Sequence, residues 1–186
     1  MSELEFGSNV KIEIFKCTEE TIRYIDSFNC GNQHLNSLIR YDSVSGDTVA
    51  YLFVDTENDK LVAYCSLSCS GIMTIAEDAE PGIVDPRTII PSIEIKFFAV
   101  DNEYRSLKME KTSTRYDTLS ASIFQYCIYI ADRIANENVG AKALLLYAVP
   151  KAHNFYKRNG FEEFTEEMSR DNAGFVRGCV PMYMSI

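Results

Sequence analysis

The feature that most constrains the fold of this chain is a strand and a helix that follow each other directly near its end. Residues 143–149, ALLLYAV, are apolar without interruption, which predicts a strand buried on both faces. Pro150 comes immediately afterwards, and Gly160 closes the next segment. Proline favours the first position of a helix and glycine the position just past its end, so a short helix is expected between them. A buried strand that leads straight into a helix requires a sheet with helices packed on it.

The rest of the chain supplies the other elements of an α+β domain. The spacing of Leu35, Leu38 and Ile39 predicts an early amphipathic helix, and an apolar stripe predicts a long helix over about 118–138. Further strands are predicted at residues 10–16, 48–55, 60–70 and 92–100 and in the C-terminal segment. We therefore expect a mixed central sheet of about six to seven strands flanked by helices. With 186 residues the chain has the length of one domain, 1–186.

Composition limits the partners and the location that the chain can have. The net charge of −9 disfavours a nucleic-acid partner, which usually needs a basic face, and favours amine-bearing substrates. No apolar run is long enough for a membrane helix, and the first residues do not form a secretory leader, so we expect no membrane association and a cytoplasmic location. The six cysteines form no CxxC pair and are expected to be free, buried and reduced thiols. The two histidines lie at no metal-ligand spacing, so no metal site is expected.

Three local motifs and the order of elements resemble the GNAT superfamily of N-acetyltransferases across almost the whole chain. The most specific stretch is residues 138–161, NVGAKALLLYAVPKAHNFYKRNGF, and residues 28–39, FNCGNQHLNSLI, are similar to an early family motif. Within the superfamily, the chain is most similar to the subgroup with toxin-type acetyltransferases that act on aminoacyl-tRNA. The resemblance implies the GNAT fold, acetyl-CoA as acyl donor, and direct attack of a primary amine on the thioester.

Tyr156 matches the family position of the tyrosine that protonates the leaving thiolate. A phenol has a pKa of about 10 and stays protonated at neutral pH, so it can give a proton to a thiolate whose acid has a pKa near 8.5. The alternative is structural, because Tyr156 also follows Ala152 and Phe155 on one face of the predicted helix.

Glu94 is the second catalytic candidate, because a carboxylate in the central apolar strand SIEIKFFAV is costly unless it is paired or functional. Strict alternation places it with Lys96, Phe98 and Val100, opposite a face of Ile93, Ile95, Phe97 and Ala99. Some members of the family use a glutamate here as general base for the incoming ammonium. The alternatives are an ion pair with Lys96 at a solvated strand end, or a structural hydrogen bond.

The resemblance also implies residues that bind acetyl-CoA. Phe98 and Ala99 would line the thioester, and the backbone N–H of about Val100 would stabilise the oxyanion. Arg105 stands at the first position of the family's pyrophosphate loop, and Ser120 at about the last.

The stretch between these two residues departs from the family pattern, because it contains no glycine and is about ten residues longer. Retained binding would use the backbone amides of Thr118, Leu119 and Ser120 at the start of the long helix, with charge from Lys108, Lys111 or Arg115. Alternatively, cofactor binding is weakened or lost, and the chain is a non-catalytic module that binds CoA or a partner. The alternative for the basic residues themselves is that they belong to an exposed, mobile loop.

The acceptor is left open by the sequence. It is a small-molecule amine, a peptide or protein amine, or an aminoacyl-tRNA. The subgroup favours tRNA and the net charge of −9 disfavours it, so tRNA ranks second. A homodimer also remains open, because many members of the family dimerise.

Overall fold

The protein is described by a computed structural model that covers residues 3–6, 10–75, 87–108, 118–170 and 178–186. The strands are β1 Glu3–Phe6, β2 Val10–Lys16, β3 Val49–Asp55, β4 Lys60–Ile75, β5 Arg87–Val100, β6 Ala143–Ala148, β7 Glu162–Glu163, β8 Ser169–Arg170 and β9 Val180–Ser185. The helices are α1 Arg23–Asp26, α2 Gln33–Ser45, α3 Leu119–Ile134 and α4 His153–Arg158. A π-helical turn, Ala135–Val139, continues α3, and a 3₁₀ turn, Pro150–Ala152, precedes α4.

The strands form a mixed sheet. Hydrogen-bonded neighbours follow the order β1-β2-β3-β4-β5-β6-β9-β7, and β8 pairs with β4. The β5–β6 pair is parallel, whereas β6–β9, β2–β3 and β3–β4 are antiparallel. Within the described ranges, six strands have six or more residues, and β1, β7 and β8 are shorter. The predicted α+β fold with a mixed sheet flanked by helices is confirmed.

The chain divides into two compact units. The first unit consists of residues 1–68 and 96–127, and the second consists of residues 69–95 and 128–186. The prediction of a single domain stays a prediction. All six cysteines are free, as expected, although Cys69 is exposed.

In the first unit, α1 and α2 pack on β3 and β4. Ile39 of α2 and Leu52 and Tyr64 of the strands are fully buried in this core, and Leu35 packs against it. Helix α2 begins where the side chain of Asn32 accepts a hydrogen bond from the N–H of Leu35, at 3.2 Å, which is the usual N-cap arrangement. The helix ends at Gly46, whose φ of 75° suits glycine.

In the second unit, α4 packs on one face of the β6–β9 sheet. A Cβ added to Gly160 would lie 3.4 Å from the sulfur of Met184, and His153 Nε2 lies 2.9 Å from Glu163 Oε1. The side chains on this face include Met182 and Met184 of β9 and Glu163, which pairs with Met182. We call it the α4 face.

The opposite face of the same unit carries a separate hydrophobic cluster. Ile72, Ala143 and Leu145 are buried at its centre. Half-buried side chains surround them, namely Ile90, Tyr147, Phe164, Met168 and Tyr183. Because Tyr183 neighbours Met182 and Met184 in β9, its side chain lies on the other side of the sheet from theirs.

Candidate active site

Glu94 lies in the second unit, at the end of the ladder between β5 and β6. The ladder runs from the Ser92–Ala143 pair to the Glu94–Leu145 pair, while β6 continues to Ala148 in pairing with β9. Glu94 is only 5% exposed, so the alternative of a solvated strand end is wrong. Residues that pair directly across strands share a face, which puts Glu94 on the face of Leu145 and Tyr183. We call this the Glu94 face.

Tyr156 lies in the same unit, on α4. It is half-buried, and its ring makes edge-on contacts with Phe155 and Phe161, at centroid distances of 5.3 and 6.3 Å. The backbone carbonyl of Tyr156 accepts hydrogen bonds from the N–H groups of Asn159 and Phe161, which close the helix. The aromatic packing expected from the structural alternative is therefore present.

Glu94 and Tyr156 belong to opposite sides of the second unit's sheet. Tyr156 is carried by the helix on the α4 face, whereas Glu94 pairs with a residue of the opposite face. An acid and a base placed in this way would each act from its own side of β6. Sequence alternation could not reveal this arrangement, because the pairing of β6 with its neighbours determines it.

The candidates for the thioester lie in the first unit, at the end of β5. Ala99 and Val100 are buried, and Phe98 packs on Phe124 of α3 at a centroid distance of 4.8 Å. Phe97 packs instead with the α1–α2 core, and Lys96 Nζ lies 3.6 Å from Asp42 Oδ1 on α2.

The contacts of Phe97, Phe98 and Ala99 follow the predicted alternation. Phe97 and Ala99 both pack in the α1–α2 core, whereas Phe98 packs on α3. Lys96 is exposed, and its long side chain reaches the buried carboxylate of Asp42, a partner distant in sequence that local periodicity cannot predict.

Arg105 binds the protein's own backbone. Its Nη2 donates to the carbonyl oxygen of Cys30 and, at 3.4 Å, to that of Val100. The guanidinium therefore ties the turn before α2 to the end of β5. This contact differs from the pyrophosphate contact that the resemblance implies for Arg105, although the guanidinium has further N–H groups.

The start of α3 uses part of the predicted phosphate-binding backbone internally. The N–H of Leu119 donates to the carbonyl oxygen of Leu107 at 3.0 Å. The hydroxyl of Ser120 donates to the carbonyl oxygen of Arg105 at 3.1 Å. The hydroxyl of Thr118 accepts from the N–H of Ala121 at 3.3 Å and caps the helix. Lys111 and Arg115 lie outside the described residues. Lys108 is exposed, and its backbone forms an isolated antiparallel β-bridge with Thr118.

The FNCGN turn, residues 28–32, is held next to the end of β5 by a network of hydrogen bonds. The Asn29 N–H donates to Asp101 Oδ2 at 2.8 Å, and the Asn29 side chain accepts from Gly31 N and from the amide of Asn36. A Cβ on Gly31 would meet the side chain of Asn102 at 2.7 Å, so this position requires glycine. The turn fixes the residues next to Val100, and its sequence signal was the run of Asn and Gly residues ahead of α2.

A pocket in the first unit has a volume of about 510 Å³. It is lined by Asp26, Ser27, Phe28, Asn29, Gln33, Asn36, Ser37 and Arg40. This lining is mainly polar, unlike that of most small-molecule sites, so it identifies no cofactor. Among the described residues, no group of three or more His, Cys, Asp or Glu side chains could hold a metal ion, and no helix could span a membrane.

Comparison with known proteins shows the fold. A scan against models of protein families finds no match, and a search of curated proteins finds no relative. Among solved structures, a tyrosine-to-phenylalanine mutant of the toxin AtaT matches with a TM-score of 0.69 and 18% identity, over 98% of this chain and 93% of that one.

Two further AtaT structures match at similar levels. AtaTR bound with acetyl-CoA has a TM-score of 0.66 at 18% identity, over 94% of this chain and 93% of that one. AtaT complexed with acetyl-methionyl-tRNAfMet has a TM-score of 0.59 at 20% identity, over 91% and 93%. This chain therefore has the fold of these toxins, and the fold expected from the resemblance is confirmed.

Proposed function

We propose that this chain is an N-acetyltransferase that transfers the acetyl group of acetyl-CoA to a primary amine. The observation that carries the proposal is the buried carboxylate of Glu94 at the last pair of the β5–β6 ladder, in a fold that AtaT shares. A buried carboxylate inside an apolar strand is costly, so it usually serves a partner or a function. AtaT has been solved with acetyl-CoA, which supports the choice of donor.

In the proposed mechanism, the two sides of the second unit's sheet divide the proton transfers. Glu94 accepts a proton from the ammonium of the acceptor, which leaves a neutral amine to form the N–C bond. As the C–S bond breaks, the Tyr156 hydroxyl donates its proton to the leaving thiolate. A base and an acid on opposite sides suit a reaction in which the amine arrives on one side and the thiol leaves on the other.

Residues at the end of β5 and at the start of α3 are proposed to hold the donor. Phe98 and Ala99 line the acyl group, and the N–H of Val100 stabilises the oxyanion. The pyrophosphate is proposed to lie at the start of α3, near Thr118, Leu119 and Ser120, where the helix dipole favours negative charge. Because the Leu119 N–H is used by Leu107, the amides of the other two residues carry this role. Arg105 supports the site by fixing the carbonyl of Val100.

Aminoacyl-tRNA is the acceptor that we propose first, ahead of small amines and protein amines. The net charge of −9 says nothing about where the charges lie along the chain. Residues 138–161 contain no Asp or Glu but four cations, namely Lys142, Lys151, Lys157 and Arg158. Three of these four cations lie on α4 or the turn before it, beside Tyr156, and are exposed. AtaT has been solved with acetyl-methionyl-tRNAfMet, which supports the same choice. A cytoplasmic location, expected from the sequence, is part of this proposal.

A non-catalytic module that binds CoA or a partner is the second candidate. It is favoured by the engagement of Arg105 and of the Leu119 amide with the protein's own carbonyls. Calorimetric titration with acetyl-CoA, followed by an assay of thiol release with charged tRNA, separates the two. Acetyl-CoA binding with thiol release that depends on aminoacyl-tRNA supports the enzyme. Acetyl-CoA binding without transfer to tRNA or to any amine favours the module, and no binding at millimolar acetyl-CoA rejects the enzyme.

A further inference from the structure

The Glu94 face of the second unit combines a carboxylate with aromatic and thioether side chains. Glu94, Leu145 and Tyr183 form one row across β5, β6 and β9, because they pair directly. Tyr147 lies two residues along β6 from Leu145 and therefore on the same face. The ring of Phe164 meets that of Tyr183 edge-on, at a centroid distance of 6.0 Å and an angle of 78°.

The side chains on this face are buried at the centre and half-buried around it. The central residues Ile72, Ala143 and Leu145 are at most 3% exposed. The surrounding residues Tyr147, Phe164, Met168 and Tyr183 are half-buried, and none of the side chains described in this cluster belongs to a helix. The face therefore combines half-buried apolar rings and a half-buried thioether with the buried carboxylate of Glu94, whereas α4 contacts the opposite face.

We propose that this face selects acceptors whose amine lies next to a large apolar side chain. The occupant is an α-amino acid derivative, with its ammonium at Glu94 and its side chain on Tyr147, Phe164 and Tyr183. Aromatic faces attract ammonium groups, and rings together with Met168 provide an adaptable apolar wall. The chain's net charge of −9 adds an attraction for the same cation. The inference rests on the proposed acetyl transfer, because it names the substrate class for the same site.

The test compares four amides as acceptors, namely glycinamide, alaninamide, methioninamide and phenylalaninamide, at saturating acetyl-CoA. We expect kcat/KM for phenylalaninamide and methioninamide to exceed that for glycinamide by about tenfold or more, since apolar pockets discriminate by that order per side chain. Equal kcat/KM values for all four amides would overturn the proposal.

Variants on the two faces locate the selectivity. Phe164→Ala should reduce the preference for phenylalaninamide over glycinamide severalfold, and Tyr183→Leu should reduce it while keeping the strand apolar. Met184→Ala is the matched control, because Met184 adjoins Tyr183 in β9 but lies on the α4 face. Circular dichroism and melting curves confirm that each variant is folded. If Met184→Ala lowers the preference for phenylalaninamide over glycinamide as much as Phe164→Ala and Tyr183→Leu do, the selectivity does not come from the Glu94 face.

Binding without the donor separates this inference from the proposed function. Chemical-shift titration with phenylalaninamide, glycinamide and 3-phenylpropanamide, which lacks the ammonium, is done without acetyl-CoA. Tighter binding of phenylalaninamide than of both other compounds supports the surface, even where no acetyl group is transferred. Glu94→Gln should weaken phenylalaninamide binding and leave 3-phenylpropanamide unchanged. Equal affinity for phenylalaninamide and glycinamide rejects the surface, whatever the turnover.

Discussion

The hydroxyl of Tyr156 is the smallest group for which a role is proposed, and Tyr156→Phe removes it while keeping the ring. In Tyr156→Phe the contacts with Phe155 and Phe161 remain, because only the oxygen is lost. We expect kcat to fall by about 10²-fold or more, with the acetyl-CoA dissociation constant and the melting temperature unchanged. Steady-state kinetics, calorimetry and thermal unfolding measure the three quantities. A variant with full kcat would assign Tyr156 to packing alone.

The proposed role of Glu94 as general base is tested by pH, because a base is needed only while the acceptor amine is protonated. In Glu94→Gln the acceptor ammonium loses its assisted deprotonation, and the rate at pH 7 should fall by about 10²-fold. The loss should shrink as the pH approaches about 9, where an α-amino group with a pKa of about 8 is already neutral. The measurement is the pH profile of kcat/KM for phenylalaninamide between pH 6 and 9.5 in both proteins. A constant ratio across that range would mean that Glu94 is structural.

Asp55 and Tyr104 connect the first unit's strands to the turn after β5, and their contact is sensitive to pH. Burial raises the pKa of the Asp55 carboxyl, but hydrogen bonds from Asn58, from Tyr104 and from backbone N–H groups outweigh it, and the net pKa is lowered. A carboxylate with a lowered pKa stabilises the fold above its unfolded pKa of about 3.9, and this stability is lost as pH falls through the folded value.

Tyr104→Phe removes the 2.8 Å hydrogen bond from the hydroxyl to Asp55 Oδ2. The variant should lose about 1.5–3 kcal/mol of unfolding free energy at pH 7, as expected for a hydrogen bond to a charged group. The difference from the unmodified protein should shrink only below the usual carboxyl pKa of about 3.9, as pH falls through the lowered folded pKa of Asp55. Urea unfolding at pH 7 and at pH 2.5 tests this. An equal difference at both values would show that the hydroxyl acts independently of the carboxylate.

At the scale of elements, Arg105 behaves as a clamp between the FNCGN turn and the end of β5. Arg105→Gln removes its bonds to the carbonyls of Cys30 and Val100. We expect a loss of about 1–3 kcal/mol in unfolding free energy, in addition to any change in acetyl-CoA affinity. The matched control is Arg23→Gln, which removes an exposed arginine paired with Asp59 and should leave stability nearly unchanged. Weaker acetyl-CoA binding with unchanged stability would restore the phosphate role implied by the resemblance.

Sequence patterns predicted the elements well and their contacts poorly. The apolar stripe placed the long helix at 118–138, and the structure has α3 at Leu119–Ile134 with its π-helical turn to Val139. The partner of Lys96, the buried Asp42 on α2, could not be predicted, because it is distant in sequence. The family pattern assigned Arg105 to a phosphate, and the competing carbonyls come from a turn and a strand end that are distant in sequence. Local periodicity reports which residues are buried, but tertiary pairing decides what each polar group touches.

At the scale of the whole molecule, charge is uneven in a way that a net value conceals. A chain with 27 acidic and 18 basic residues still has a stretch, residues 138–161, without a carboxylate. Binding to a polyanion depends on local cations, because each neutralised phosphate releases counterions. The local cations of residues 138–161 therefore bear more directly on tRNA binding than the net charge of −9 does.

Charge reversal on α4 tests this distribution. The double variant Lys157→Glu, Arg158→Glu should lower affinity for tRNA by at least tenfold at low salt and make binding less dependent on salt. The control, Arg23→Glu with Lys60→Glu, changes the net charge equally but in the first unit, at residues paired with Asp59 and Glu103. Filter binding between 25 and 200 mM salt is the measurement. Equal losses in both double variants would mean that only the total charge matters.

The sheet of the second unit separates Glu94 from the helix that carries Tyr156, and this has a consequence for how such a chain can change. Side chains at Tyr147, Phe164 and Tyr183 can be exchanged without touching the aromatic contacts that position Tyr156. Under the proposed mechanism, a gene library that varies only those three positions should therefore yield variants with new acceptors and an unaltered leaving-group step. Under the same mechanism, natural variants would reach a new target by changes at these positions alone.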